Sequence, residues 1–329
     1  MPMRFFSCAL LVASFLAILG CNSAERPTAE KTAAPAVSAA DAKLERGRYL
    51  AENLADCESC HSEFNWETDP PEPLPGRLGS GAPFPLEGLP FPVYVPNISS
   101  HKTMGAGGWT DEQLARAIRE GIGHDGRVLS PIMPYMNFRA LSDNDVAAVI
   151  AYVRTYPSVD KPTVTPTIPE PVRKQLPQPP PLAKPVPDPD RSDPVKYGQY
   201  LVSVAACIDC HTPLSPKMEP MMELAFSGGQ PINGPWGKAA SANITPDASG
   251  ISYYDEKMFL EMLRTGHVKA RKLNPIMPYW RFRNLDESDQ KAIFAYLRTL
   301  KPVKHRVDNT EAPTKCKVCG GVHGAGELN

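Results

Sequence analysis

Six of the eight cysteines fall into three C-x-x-C pairs: Cys57/Cys60, Cys207/Cys210 and Cys316/Cys319. Two of the pairs continue into histidine, as Cys57-Glu-Ser-Cys60-His61 and Cys207-Ile-Asp-Cys210-His211. Two thiols one helical turn apart can add to the two vinyl groups of a haem, and the adjacent imidazole then points at the iron. C-x-x-C by itself also serves zinc and thiol redox chemistry. The histidine that follows, at both places, is what assigns these motifs to two covalently bound haem c groups.

Each motif has a methionine downstream in the same setting. Met133 lies 72 residues after His61 and Met277 lies 66 after His211, both within Pro-Ile-Met-Pro-Tyr. The flanking prolines stiffen an extended loop and can aim a thioether without a helix. A core methionine is the ordinary alternative, but the same rigid context occurs twice. Met104, Met136, His101 and His124 compete in the first copy, and Met218, Met221, Met222 and His267 in the second; none recurs at a matched position. The expected axial pairs are therefore His61/Met133 and His211/Met277. His/Met ligation fills both axial positions and raises the potential relative to a bis-His haem. Such an iron passes electrons and offers no open position to a substrate, so no catalytic residue is nominated.

Secondary candidates come from the same repetition. Arg127 and Arg271 each lie six residues before the methionine, either pairing with haem propionates or sitting in solvent. Asn97 and Asn243 either hydrogen-bond near the haem edge or cap a turn. Trp109, Trp236 and Trp280 read as packing residues rather than electron relays. In the tail, Cys316-Lys-Val-Cys319-Gly-Gly-Val-His323 has Gly320 where a haem-ligating histidine belongs. Three readings stay open there: a third haem with His323 swung back; a zinc or copper site on Cys316, Cys319 and His323, with or without His305; or a simple disulfide or mobile redox-active tail.

The elements that must position these residues are helical and duplicated. Asn97-Ile-Ser matches Asn243-Ile-Thr at an offset of 146, between motif and methionine offsets of 150 and 144. With the helix just after each methionine loop, that makes four features in one order at nearly constant offset, which means a repeated unit. In each copy a first helix (about 41–57 and 194–208) runs into the C-x-x-C-H. A middle helix starts at Thr110-Asp-Glu-Gln113, a capping box, and at Ser252 in the second copy. A last helix starts near Ser142 or Asp286. The class is all-α: two tandem cytochrome c domains with long proline-rich loops and linker. Thirteen prolines between 157 and 194 mark an extended, semi-rigid connector.

The string Asn243-Ile-Thr-Pro-Asp, the Leu263-Arg-Thr-Gly266 helix end, Met277-Pro-Tyr and the final Asp289-x-x-x-Ile-x-x-Tyr-Leu-Arg helix resemble those of bacterial di-haem cytochrome c proteins. They are similar to the multi-haem cytochrome c subunits of periplasmic alcohol, aldehyde and sugar-acid dehydrogenases. The resemblance covers roughly 45–155 and 195–302. It implies a redox-protein donor, either a dehydrogenase or a quinol-oxidising complex, and a terminal oxidase or soluble cytochrome as acceptor. A competing expectation is a di-haem enzyme that oxidises a small sulfur compound such as thiosulfate.

The N-terminus reads as an export signal. Arg4 precedes an apolar run from Phe5 to Leu19, too short for a membrane span, ending in Ile-Leu-Gly-Cys21. That ending resembles a lipobox with Cys21 as the lipidated residue; ordinary signal cleavage is the alternative. The expected layout is a lipoprotein signal peptide over 1–20, a flexible tether over 21–40, domains over 41–156 and 195–302 with the linker 157–194 between them, and the tail over 303–329. The chain is expected on the periplasmic side of a bacterial membrane, held there by lipid. With 35 basic and 36 acidic residues nothing suggests a nucleic-acid partner.

Overall fold

Ser38 caps the first helix by accepting a hydrogen bond from the Asp41 amide, and residues Ala39–Tyr49 follow as α1. The computed structural model describes residues 38–88, 92–164, 169–174 and 176–324. The expected signal peptide, the lipid site Cys21 and nearly all of the tether lie outside them. No described helix is long and apolar enough to cross a membrane.

Helices dominate. The strands are short antiparallel pairs at loop bases, such as Ala82–Pro83 with Tyr94–Val95 and Pro231–Gly234 with Gly237–Ala240. After α1 the helix widens into a π-turn over Leu50–Leu54, then breaks at Asp56, whose φ of 44° is left-handed. A separate one-turn helix α2, Cys57–His61, follows. The remaining helices of the first half are α3 (Asp111–Glu120), α4 (Tyr135–Phe138) and α5 (Asp143–Val153). A single turn, α6 (Glu170–Arg173), interrupts the proline-rich stretch. The second half repeats the order: α7 (Pro194–Val204), α8 (Cys207–His211), α9 (Glu256–Thr265), α10 (Tyr279–Phe282) and α11 (Glu287–Leu297).

Two expectations need correcting. The first helices do not run straight into the C-x-x-C-H turns. Asp56 and Ala206 (φ 51°) occupy left-handed backbone and set each motif off as its own short helix. The second middle helix begins at Glu256, not Ser252, because Asp255 is the cap: its carboxylate accepts from the Met258 amide at 2.7 Å. The Thr110/Gln113 capping box and the Ser142 and Asp286 starts are where the residue pattern puts them.

In each half the first and last helices cross closely. A Cβ on Gly47 would fall 1.9 Å from the Ala148 carbonyl oxygen, and one on Gly198 equally close to that of Ala292. Only glycine allows that approach. Around the crossings are packed Leu50, Leu54, Val149 and Val153 in one half and Leu201, Phe259, Ile293 and Leu297 in the other. The two halves are joined by reciprocal hydrogen bonds. Asp145 on α5 accepts from Arg46 of its own half and from Tyr200 of the other. Asp289, its counterpart on α11, accepts from Tyr197 of its own half and from Tyr49 of the other, at 3.1 and 2.8 Å.

The described parts of the proline-rich stretch run along the first half. The Tyr135 hydroxyl donates to the Pro177 carbonyl, the Arg139 guanidinium to Pro180, and the Asp143 amide to Val186.

Candidate functional site

The same construction supports both C-x-x-C-H turns. In a one-turn helix both thiols and the imidazole emerge toward one side. Nδ1 of His61 donates to the Pro96 carbonyl at 2.9 Å, and Nδ1 of His211 to the Ala242 carbonyl at 2.7 Å. Burial holds both imidazoles below their ordinary pKa, so each is neutral with its proton on Nδ1. Nε2 then carries a free lone pair, and no hydrogen bond among the described residues uses it. The backbone N–H groups of Gly81 and Gly228 donate to the histidine carbonyls at 2.8 and 2.7 Å. Each histidine is thus held at ring and backbone, the arrangement that fixes a metal-binding imidazole.

Asn97 and Asn243 lie one residue beyond those carbonyl acceptors and are buried. The Asn97 amide donates to the Val159 and Lys161 carbonyls, that of Asn243 to Val303 and His305, at 2.8–3.1 Å. Their oxygens accept from the Ser99 and Thr245 amides. Each asparagine therefore pins the histidine-holding loop to the segment after the last helix.

Cys57, Cys60, Cys207 and Cys210 are free thiols, and burial pushes the first three up to about 12 and Cys210 up to about 11. Met133 and Met277 pack against the same core as Cys57 and Cys207. Their loops superimpose in hydrogen bonding. Met133 N–H donates to Ser130 and Met277 N–H to Asn274, both at 3.0 Å, and each methionine carbonyl accepts from the tyrosine two residues on at 2.7 Å. Met104, Met136, Met218 and Met222 are exposed. His124 stacks on Trp109, and His267 turns back onto the Thr265 carbonyl. The donor set fits covalent haem: paired thiols, a neutral imidazole with Nε2 free, and a half-buried thioether.

Arg127 bonds Asp125 on the surface, and Arg271 lies opposite Val268 in a short antiparallel strand pair. Trp236 packs edge-on to Trp66 and Trp280 against Phe64.

Spacing did not reveal the residues that link one motif to the other half's methionine loop. Arg281, four residues after Met277, reaches Asp56 and Glu58 at 3.1 and 3.2 Å. Asn137, four residues after Met133, donates to Asp209 at 2.8 Å. The shared offset of four was the available signal. Burial raises the Asp56, Glu58 and Asp209 carboxyls above the usual range despite these partners. The tail residues also converge: His305, Cys316, Cys319 and His323 present one ligand atom each within 4.8 Å of one another.

Residues 44–157 match the family model described as cytochrome c. The chain is similar to the cytochrome subunit of fructose dehydrogenase from Gluconobacter japonicus, with 32% identity over 94% of this chain and 63% of that protein. It is similar to the gluconate 2-dehydrogenase cytochrome c subunit of Pantoea cypripedii, 29% over 79% of this chain and 60% of the relative. A diheme cytochrome c-type protein of Cereibacter sphaeroides is 26% identical over 64% of this chain and 72% of its own length. The chain thus spans about three fifths of the length of the two dehydrogenase subunits. The thiosulfate alternative finds no support among these names.

Proposed function

From the premise that this chain carries a cytochrome c domain and is a relative of dehydrogenase cytochrome subunits, we propose that it is a two-haem electron carrier serving a dehydrogenase. Cys57 and Cys60 would hold one haem and Cys207 and Cys210 the other, with His61 and Met133 supplying donors to the first iron and His211 and Met277 to the second. When bound, each haem supplies a one-electron iron couple. The chain holds the proximal imidazole neutral and oriented, brings a thioether from a proline-stiffened loop, and excludes water with its core. The observation that carries this reading is the matched pair of histidines, each donating from Nδ1 to a loop carbonyl. The contacts of Arg281 with Asp56 and Glu58, and of Asn137 with Asp209, tie each motif to the other half and support transfer between the two centres within one molecule.

The donor is a dehydrogenase of the alcohol, aldehyde or sugar-acid kind, or a quinol-oxidising complex; the acceptor is a terminal oxidase or soluble cytochrome. The Ile-Leu-Gly-Cys21 ending supports lipid anchoring on the periplasmic face. Haem content and an absorption spectrum with redox titration test the core of the proposal. Two haems c per chain are expected, with a far-red charge-transfer band in the oxidised protein that falls by about half in Met133→Ala or Met277→Ala and vanishes in the double variant. A single haem, or a high-spin or bis-His signal at either iron, would overturn it.

A further inference from the structure

The tail supplies a second, independent cluster. The hairpin Thr314–Lys315 with Val322–His323 carries Cys316 and Cys319 in its turn and His323 on its returning strand. It folds back on His305, which is 1% exposed; Cys319 and His323 are also buried. Nε2 of His305 lies 3.4 Å from Cys316 Sγ, and Nε2 of His323 lies 3.2 Å from Cys319 Sγ. A tetrahedral zinc with Zn–S of about 2.3 Å and Zn–N of about 2.0–2.1 Å sets ligand-to-ligand edges of roughly 3.3–3.8 Å. The two observed edges fall at or just below that range.

The surroundings are built for these donors. Nδ1 of His305 is held by the Ser227 carbonyl at 3.1 Å, with the Ser227 hydroxyl at 3.2 Å, which leaves Nε2 as the ligand atom. Backbone amides of Val318 and Gly321 donate to the sulfurs of Cys316 and Cys319 at 3.3 and 3.4 Å, as thiolates require. Gly229, at φ 90°, lies beneath both rings; a Cβ there would sit 2.5 Å from His305 Cε1 and 2.6 Å from His323 Nε2. A disulfide would need neither imidazole. Although most residues of the hairpin are exposed, Cys319 and His323 turn inward, and Asn309 pairs with Ala240 in both directions. The four converging donors favour a metal over the disulfide and mobile-tail readings. A third haem does not fit, since His323 Nε2 already lies against a cysteine sulfur.

We propose that His305, Cys316, Cys319 and His323 form a closed structural zinc site that clamps the C-terminal hairpin onto the loop behind His211. Zn²⁺ displaces the two thiol protons, and two thiolates with two neutral imidazoles leave a site of no net charge, the form a buried centre tolerates. All four positions are filled by protein, which suits a structural d¹⁰ ion; Cu(II) favours tetragonal geometry. The clamp has a counterpart in the first half. The Asn243 amide that bonds the His305 carbonyl corresponds to the Asn97 amide on Lys161, and there Lys161 does the fastening, through Glu63 and the Gly81 carbonyl at 2.7 and 2.6 Å.

Metal analysis and zinc K-edge absorption on the full-length, haem-loaded chain test this, whatever the haem count proves to be. One zinc per chain is expected, with two sulfurs near 2.3 Å and two nitrogens near 2.0–2.1 Å. His305→Ala and Cys319→Ser should lose at least nine tenths of the zinc while keeping their haem. If neither variant accumulates, the edge spectrum of the unsubstituted protein decides. Stoichiometric copper, an intact mass lower by two hydrogens with no zinc, or a haem-modified Cys316/Cys319 peptide would each overturn the proposal.

Discussion

Asp145 and Asp289 show how much depends on single buried carboxylates. Asp145 keeps the bidentate Arg46 guanidinium if its cross-half tyrosine is lost, whereas the Tyr49 hydroxyl both donates to Asp289 and accepts from the Asp286 amide. Removing a partner from a buried polar group costs about 1–3 kcal/mol. Tyr49→Phe is therefore expected to cost about 2 kcal/mol and Tyr200→Phe about 1, read as shifts in denaturant midpoint at unchanged slope. Equal losses would mean that the Asp286 amide finds another acceptor. Glu58 makes a pH prediction. Burial holds its carboxyl above the ordinary 4.5 even beside Arg281. The folded chain keeps that proton more tightly than the unfolded one, so the contribution is complete below pH 4.5 and fades as pH rises through the raised value. Glu58→Gln removes this one titration and should lessen the loss of stability as pH rises above 4.5, Asp56 and Asp209 supplying the rest; an unaltered slope would count against the assignment.

Among the elements, the cap of α9 gives the sharpest contrast. Asp255→Ala should destabilise by about 0.5–2 kcal/mol, since it removes the acceptor for the Met258 amide, and Ser252→Ala should be nearly silent. Thermal midpoints of the two variants measure the difference. The residue pattern places this helix three residues early because Ser252 and Asp255 are both acceptable caps. The choice is made by turns that close over 245–254, with Ile251 bonding Thr245 and Tyr254 bonding Ile251. What was legible had local causes: the duplicated order of helices, the matched loops around Met133 and Met277, and the Thr110, Ser142 and Asp286 starts. What was hidden depends on partners far along the chain. Nothing near Asp56 announces Arg281, and the carbonyls that hold His61 and His211 belong to backbone, which has no residue signature. The breaks before α2 and α8 were hidden for another reason. Left-handed backbone at an aspartate and an alanine is imposed by the fold rather than preferred by the residue.

At the scale of the whole molecule, the two halves are fastened where the redox motifs are. Each α4-type turn presses on the other half's C-x-x-C helix, through Arg281 on one side and Asn137 on the other. The two fastenings differ in kind. Arg281→Leu leaves two buried carboxylates without their cation, which costs about 3–5 kcal/mol. Asn137→Ala removes one hydrogen bond and is expected to cost about 1–2 kcal/mol. Chemical denaturation of both variants, followed through the same probe, checks the ranking; a larger loss for Asn137→Ala would invert it. The Arg281 contact also orders events in time. Asp56 and Glu58 leave the ribosome roughly 220 residues ahead of the arginine that neutralises them. Until Arg281 packs, those two carboxylates lack their cation, so the first C-x-x-C-H turn is completed only when the second half folds onto it. One late side chain thus makes the finish of the first half wait on the second.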